Sequence, residues 1–294
     1  EDEFSDTEAK ALLALANDAK AFGENLIELA NQKRKDGTTQ ARVSLERLED
    51  YTEQEIPANN IPSIVQALFD VGDQLLRPED EPQGMFDFSN DIRIGRIISQ
   101  LLRRLDEQAR FEMLKEAMSN GNALSIIVRE VVTLGQEQGQ YGADESIPEE
   151  EWLIGEQHLK ELEEIALKRL RDAAQQNSLL QVPKLPEQLH YWQRLAGEEE
   201  VNEWVQKIIE NDEGLVNFLE KFLQKDMSEY GSDEIEKTGY RLDPDWLEPY
   251  LEPSLIIDRV RSLGETSELT EDRKTAIAQF IQEYDMSQQE KDPD

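Results

Sequence analysis

The side chains that could do chemistry are unevenly supplied in this chain. There are two histidines and no cysteine, and 65 aspartates and glutamates stand against 31 lysines and arginines. Without cysteine, disulfides and thiolate metal sites are excluded. His158 and His190 are isolated, and neither has a second histidine or a glutamate at the spacing of an HExxH zinc helix, so each reads as a packed side chain. No stretch has the ligand spacing of an EF-hand loop. Acid pairs such as Glu163/Glu164 abound, but among 65 carboxylates adjacency carries no information about acid–base catalysis. A GxxxxGK[ST] phosphate loop is absent, because no glycine is followed by Lys-Ser or Lys-Thr. The glycine-rich stretch Gly135-Gln-Glu-Gln-Gly139-Gln-Tyr-Gly142 follows a helical pattern instead of a strand, and reads as a linker.

One feature runs against the global charge. Arg93, Arg96, Arg103 and Arg104 cluster on a predicted helix over 92–105, with Arg110 just beyond. Arg93, Arg96 and Arg103, at i, i+3 and i+10, share one broad face. They could contact an anion or an acidic partner. The simpler reading is salt bridges to neighbouring carboxylates, worth about 0–1 kcal/mol each. Lys168, Arg169 and Arg171 form a second cluster near a predicted helix C-terminus, where cations are favoured in any case. Trp246, in Asp243-Pro-Asp-Trp-Leu-Glu-Pro-Tyr-Leu251, either plugs a groove between helices or marks a contact surface. The expected interaction surface is therefore Arg93, Arg96, Arg103, Arg104 and Trp246, with no catalytic, cofactor-binding or metal residue assigned.

The elements that must position these residues are helices. Apolar residues recur at spacings of three and four almost throughout, and no β-branched run alternates with polar residues. Ser5-Asp-Thr-Glu8 reads as a capping box opening a helix through Leu12, Leu15, Phe22, Leu26 and Leu29. Further helices are expected near 41–52, after Pro62, at 92–105, 107–118, 123–135 and 155–176, and then in shorter pieces to Tyr284. Asn120-Gly121-Asn122 reads as a left-handed turn, Arg77–Asn90 as a loop holding Phe86 and Phe88 to the core, and 285–294 as a solvated tail. Short connections predict antiparallel, adjacent helices. The expected fold is all-α, a series of antiparallel helix pairs in an irregular bundle or solenoid-like array. Its subdomains are placed at 1–143 and 144–294 about the Gln136–Glu151 segment, unless they merge into one continuous domain.

The net charge of −34 opposes direct binding to nucleic acid or anionic lipid, and no apolar run reaches the length of a membrane span. The opening Glu1-Asp-Glu-Phe4 lacks an apolar signal stretch and reads as a cut inside a longer protein.

Several stretches are familiar. Leu45-Glu-Arg-Leu-Glu-Asp-Tyr-Thr-Glu, Ile56-Pro-Ala-Asn-Asn-Ile-Pro and Ala67-Leu-Phe-Asp-Val-Gly-Asp resemble the region beyond the ATPase core in bacterial KAP family P-loop NTPases. So do Ile97-Ile-Ser-Gln-Leu-Leu-Arg-Arg-Leu, Gly121-Asn-Ala-Leu-Ser-Ile-Ile-Val-Arg-Glu-Val, Tyr240-Arg-Leu-Asp-Pro-Asp-Trp-Leu-Glu-Pro-Tyr-Leu and Ile257-Asp-Arg-Val-Arg. The likeness lies in helix faces and Pro/Gly punctuation; the family's phosphate loop, magnesium-binding acid and nucleotide arginines have no counterpart here. The resemblance implies a non-catalytic, cytoplasmic C-terminal accessory domain, acting in cis on its own ATPase core and sensing a protein partner, plausibly in antiphage defence. ATP and Mg are then expected only in the N-terminal core, and homo-oligomerisation is open. The alternative is an acidic nucleic-acid mimic or scaffold that binds basic partners. A carboxylate-based hydrolase has nothing but the abundance of acids behind it.

Overall fold

The computed structural model describes residues 2–32, 40–52, 56–76, 90–141, 147–222, 224–225, 240–241, 247, 249–264 and 271–291. The fold is all-α. Two compact units divide it, Glu1–Lys184 and Leu185–Asp294. The division lies at Pro183 and Pro186, well beyond the boundary expected at 143/144. The reason is that residues 136–141 and 147–155 are tied to each other and to the helix that follows. Ile147 N–H donates to Glu137 O at 3.1 Å, and Gln138 Nε2 to Ile154 O at 2.7 Å. Tyr141, held at φ 57°, donates its hydroxyl to Glu163 at 2.5 Å.

The first unit has eight described helices: α1 (Asp2–Ala14), α2 (Ala19–Ala30), α3 (Gln40–Tyr51), α4 (Ile61–Leu75), α5 (Asn90–Leu102), α6 (Glu107–Asn120), α7 (Leu124–Glu137) and α8 (Glu156–Gln175). α1 starts ahead of the expected capping box, so Ser5 lies inside the helix. The long helix expected through Leu29 breaks at Asp18, whose carboxylate accepts from Lys20 N–H and Ala21 N–H at 3.0 and 3.1 Å and starts α2. Pro62 sits in the first turn of α4, as its fixed φ allows. The loop expected at 77–90, with Phe86 and Phe88, lies outside the described residues except for Asn90, which opens α5.

Packing runs two steps along the chain: α1 lies on α3, α3 on α5 and α5 on α7, while α2 lies on α4, α4 on α6 and α6 on α8. This is a two-row stack of helices, the arrangement of a solenoid-like array. α4 also touches α5 and α7, and α7 touches α8, which closes the rows on each other. The centre is α4, with Ile61, Ile64, Val65, Leu68, Phe69 and Leu75 all inaccessible. A helix apolar on so many sides has to be enclosed.

The second unit contains α9 (Leu185–Ala196), α10 (Glu198–Ile208), α11 (Asp212–Phe222), α12 (Ile257–Gly264) and α13 (Glu271–Lys291). Gly197, at φ 89°, separates α9 from α10 in a conformation that disfavours any side chain. Trp192, Phe218, Phe222 and Phe280 fill its core. Two short strands, β1 (Gln224–Lys225) and β2 (Tyr240–Arg241), pair antiparallel. The tail expected at 285–294 is largely helical, since α13 runs to Lys291.

Gly121 corrects a local expectation. Its φ is −65°, so the turn is not left-handed. Glycine is required there by close approach: a Cβ would lie 2.6 Å from Ala117 O and 2.7 Å from Phe69 O. The next residues dock on the same carbonyl, with Ala123 N–H donating to Phe69 O at 2.8 Å. Gly121→Ala is therefore expected to lower the unfolding free energy by about 1–3 kcal/mol in urea titrations. An unchanged midpoint would mean that the turn yields without cost.

Candidate functional site

The arginines predicted to face a partner are largely engaged by the protein itself. Arg93 is 8% exposed; its guanidinium lies 3.3 Å from Glu49 and 3.8 Å from Glu46. Arg96, on the same helix, reaches Glu49 at 3.5 Å and keeps a half-exposed side chain. Arg104 turns back to the end of α3, donating to Thr52 O at 2.9 Å and to Ile56 O at 2.6 Å. Arg103 is half-exposed, with Glu137 at 3.8 Å and Glu151 O at 3.3 Å. Of the expected surface, Arg93 is thus buried, while Arg96, Arg103 and Arg104 remain exposed, Arg104 with its guanidinium committed to two carbonyls. Trp246 lies outside the described residues.

Arg104 belongs to a pattern. An α-helix leaves its last carbonyls without partners in the helix, and they carry the negative end of its dipole. α3, α5 and α6 have no basic residue in their last turns. Each is closed instead by an arginine from elsewhere. Arg104 takes the end of α3, and Arg110 of α6 takes Leu102 O and Leu105 O at the end of α5, both at 2.9 Å. Arg169 of α8 takes Met118 O and Ser119 O at the end of α6, at 3.2 and 2.8 Å. In the second unit Arg259 does the same for α10, donating to Ile209 O at 2.7 Å while pairing with Asp212 at 2.9 Å.

Where α6 ends and α7 begins, a cleft of about 700 Å³ opens in the first unit. Its walls are the α6–α7 turn, one face of α8 and the 178–182 turn, with Asp73 of α4 at one side. α7 has Ala123 at its N-cap and no capping side chain of its own. Asp73 supplies the cap from another helix: its oxygens accept from Ser125 N–H at 3.1 and 3.3 Å, and the Leu124 and Ile126 amides also bond to it. Two helix ends therefore meet at this cleft, the α6 C-terminus closed by Arg169 and the α7 N-terminus closed by Asp73. Burial pushes the Asp73 carboxyl up to about 6 from 3.8, against the pull of its amide bonds. The surroundings of this carboxylate are accordingly poorer in water than an open surface. A perturbed carboxyl beside such a cleft marks a candidate binding site.

The two other sites weighed in the sequence have local roles. The glycine stretch forms the C-terminal turn of α7: the 138 and 140 amides donate to Gly135 O, and the 139 amide to Gln136 O, so these groups do not point outward to hold a phosphate. Gly135 itself lies under the Tyr141 ring. His158 stacks on Phe111, with ring centroids 4.1 Å apart, and its Nδ1 is 3.2 Å from Glu107. His190 is held below the usual histidine range by burial and by Arg194. Among the described residues, no group of three or more His, Cys, Asp or Glu is arranged to hold a metal ion.

Compared with protein-family models, curated proteins and solved structures, the chain matches none.

Sequence reasoning found Lys168 and Arg169 but placed them at the end of their own helix; Arg169 in fact serves α6. It missed Asp73 altogether. In the sequence Asn122 looks like an adequate N-cap for a helix expected to start at 123; α7 starts one residue later, with Ala123 at its N-cap, and Asp73 takes the amides instead.

Two predictions follow from this geometry. Arg104→Met removes two charge-assisted bonds and orphans Thr52 O and Ile56 O, and should cost roughly 2–4 kcal/mol in urea unfolding. Arg96→Met should cost about 0–1 kcal/mol. Comparable losses for the two would contradict the helix-end role. For Asp73 the native pKa lies above the unfolded value, so its stabilising contribution is complete below pH 3.8 and is lost as pH rises through about 6. Asp73→Asn should therefore be more stable than the parent at pH 7.5, by up to roughly 3 kcal/mol, with the gap closing toward pH 4. Parallel stability–pH curves for the two proteins would rule this out.

Proposed function

We propose that this chain is a non-catalytic helical accessory module that acts in cis on a KAP-type P-loop ATPase core and relays the state of a protein partner to it, in the cytoplasm of a bacterium and as part of defence. The observation that carries the relay is the two-row stack of α1–α8, in which the C-terminal ends of α3, α5 and α6 are each clasped by an arginine from another element. In such a stack a displacement at one end moves packed helices as rigid bodies instead of dissipating in loops. The KAP parentage is supported by the quoted stretches alone. In this reading ATP and magnesium belong to the core. Among the described residues no helix is long and apolar enough to cross a membrane.

A second reading, an acidic protein that occupies the basic groove of a partner, is favoured by the charge of −34 and by arginines bound to carbonyls, which leave carboxylates uncompensated. Salt separates the two. Capture of a basic partner by charge alone weakens steeply as ionic strength shortens the Debye length, whereas a packed interface in cis does not.

The purified chain, incubated with ATP and magnesium, is expected to release phosphate no faster than buffer. Turnover on the order of 1 s⁻¹ or above, within the usual enzymatic range, would overturn the accessory reading.

A further inference from the structure

The cleft between the α6–α7 turn and α8 contains four charged side chains, two of each sign, and two of these are already committed. Arg169 is bound to the α6 carbonyls and Asp73 to the α7 amides. The α7 N-terminus, which would otherwise be the natural seat for a phosphate, is thus filled by an internal anion. What remains is one lysine and one aspartate. Lys168 and Asp172 stand four residues apart on the face of α8 that lines the cleft; both are exposed, and neither has a partner among the described residues. They are also not paired with each other, although i, i+4 spacing brings such groups within reach. Around them the side-chain amides of Asn122, Gln176 and Gln181 also lack partners among the described residues, and each can both donate and accept.

We propose that this cleft is a binding site for a small zwitterion of amino-acid or short-peptide type, its carboxylate held by Lys168, its ammonium by Asp172 and its remaining polar groups by the three amides. A simple anion would meet Asp172 and Asp73, and a simple cation would meet Lys168 and Arg169; only a ligand carrying both charges satisfies both free groups. The volume, about 700 Å³, lies within the range of small-molecule sites. The inference is independent of the ATPase parentage, since it uses only groups within the first unit.

The test is isothermal titration calorimetry of the full chain with L-glutamine and with triglycine, against N-acetyl-L-glutamine amide, which lacks both charges. Saturable binding with Kd on the order of 1 mM or tighter is expected for at least one zwitterion and not for the neutral analogue. The zwitterion that binds identifies its source as a free amino acid or a peptide. Lys168→Ala and Asp172→Ala should each weaken binding at least about fivefold without moving the Tm, because both side chains are exposed. The exchange Lys168→Asp with Asp172→Lys should restore binding, as the ligand can reverse its direction. No saturation with either zwitterion, equal binding of the neutral analogue, or indifference to both alanine variants overturns the proposal.

Discussion

A protein built from many short helices has many helix ends, and each end presents carbonyls or amides that no residue of that helix can satisfy. In a stack, those ends lie against neighbouring helices, where water is a poor substitute for a protein partner. This constraint organises the molecule. α3, α5 and α6 end without a basic residue of their own, and Arg104, Arg110 and Arg169 reach them from later elements. α7 begins without a capping side chain, and Asp73 reaches it from α4. The contacts of Arg104, Arg169 and Asp73 close a helix and also fix the distance between elements 50 to 52 positions apart in sequence, so there capping and tertiary registration are the same interaction.

That arrangement has an electrostatic consequence. An arginine bound to carbonyls neutralises a helix dipole and no carboxylate, and so the acidic excess of the composition is left uncompensated. Where arginines do meet carboxylates, as Arg93 and Arg96 meet Glu49, Arg93 is buried in the α3–α5 contact while Arg96 stays half-exposed. The cleft at the α6–α7 junction differs from its acidic surroundings because charges of both signs line it, and it lies where two borrowed caps come together.

Much of the helical content was legible from three- and four-residue periodicity, because burial of one stripe imposes that spacing on the chain. Of the stripe read in the first stretch, Leu12, Phe22, Leu26 and Leu29 are buried and Leu15 is half-buried. Boundaries were less legible where a single polar residue decides them. Asp18 divides one apparent helix into α1 and α2, because a carboxylate bound to two amides outweighs a continuous apolar pattern. Gly121 was assigned to the turn for backbone freedom, while its role is to let two carbonyls approach. The Gln136–Glu151 segment looked like a linker on composition, but composition does not register bonds such as Gln138 to Ile154.

By itself the sequence determined the all-α class, the absence of thiol chemistry, the excess of negative charge and the stripes each helix must bury, since these follow from residue type and local spacing. Tertiary structure alone decided which charges are free. Arg93, Arg104 and Arg169 look like exposed cations when read along one helix, yet each has partners about 44 to 52 positions away in the chain. Lys168 and Asp172 look no different in sequence and remain accessible. The physical reason is that a charge is neutralised by whatever folding brings within a few ångströms of it, and Coulomb and hydrogen-bond energies depend on that distance and not on separation along the chain.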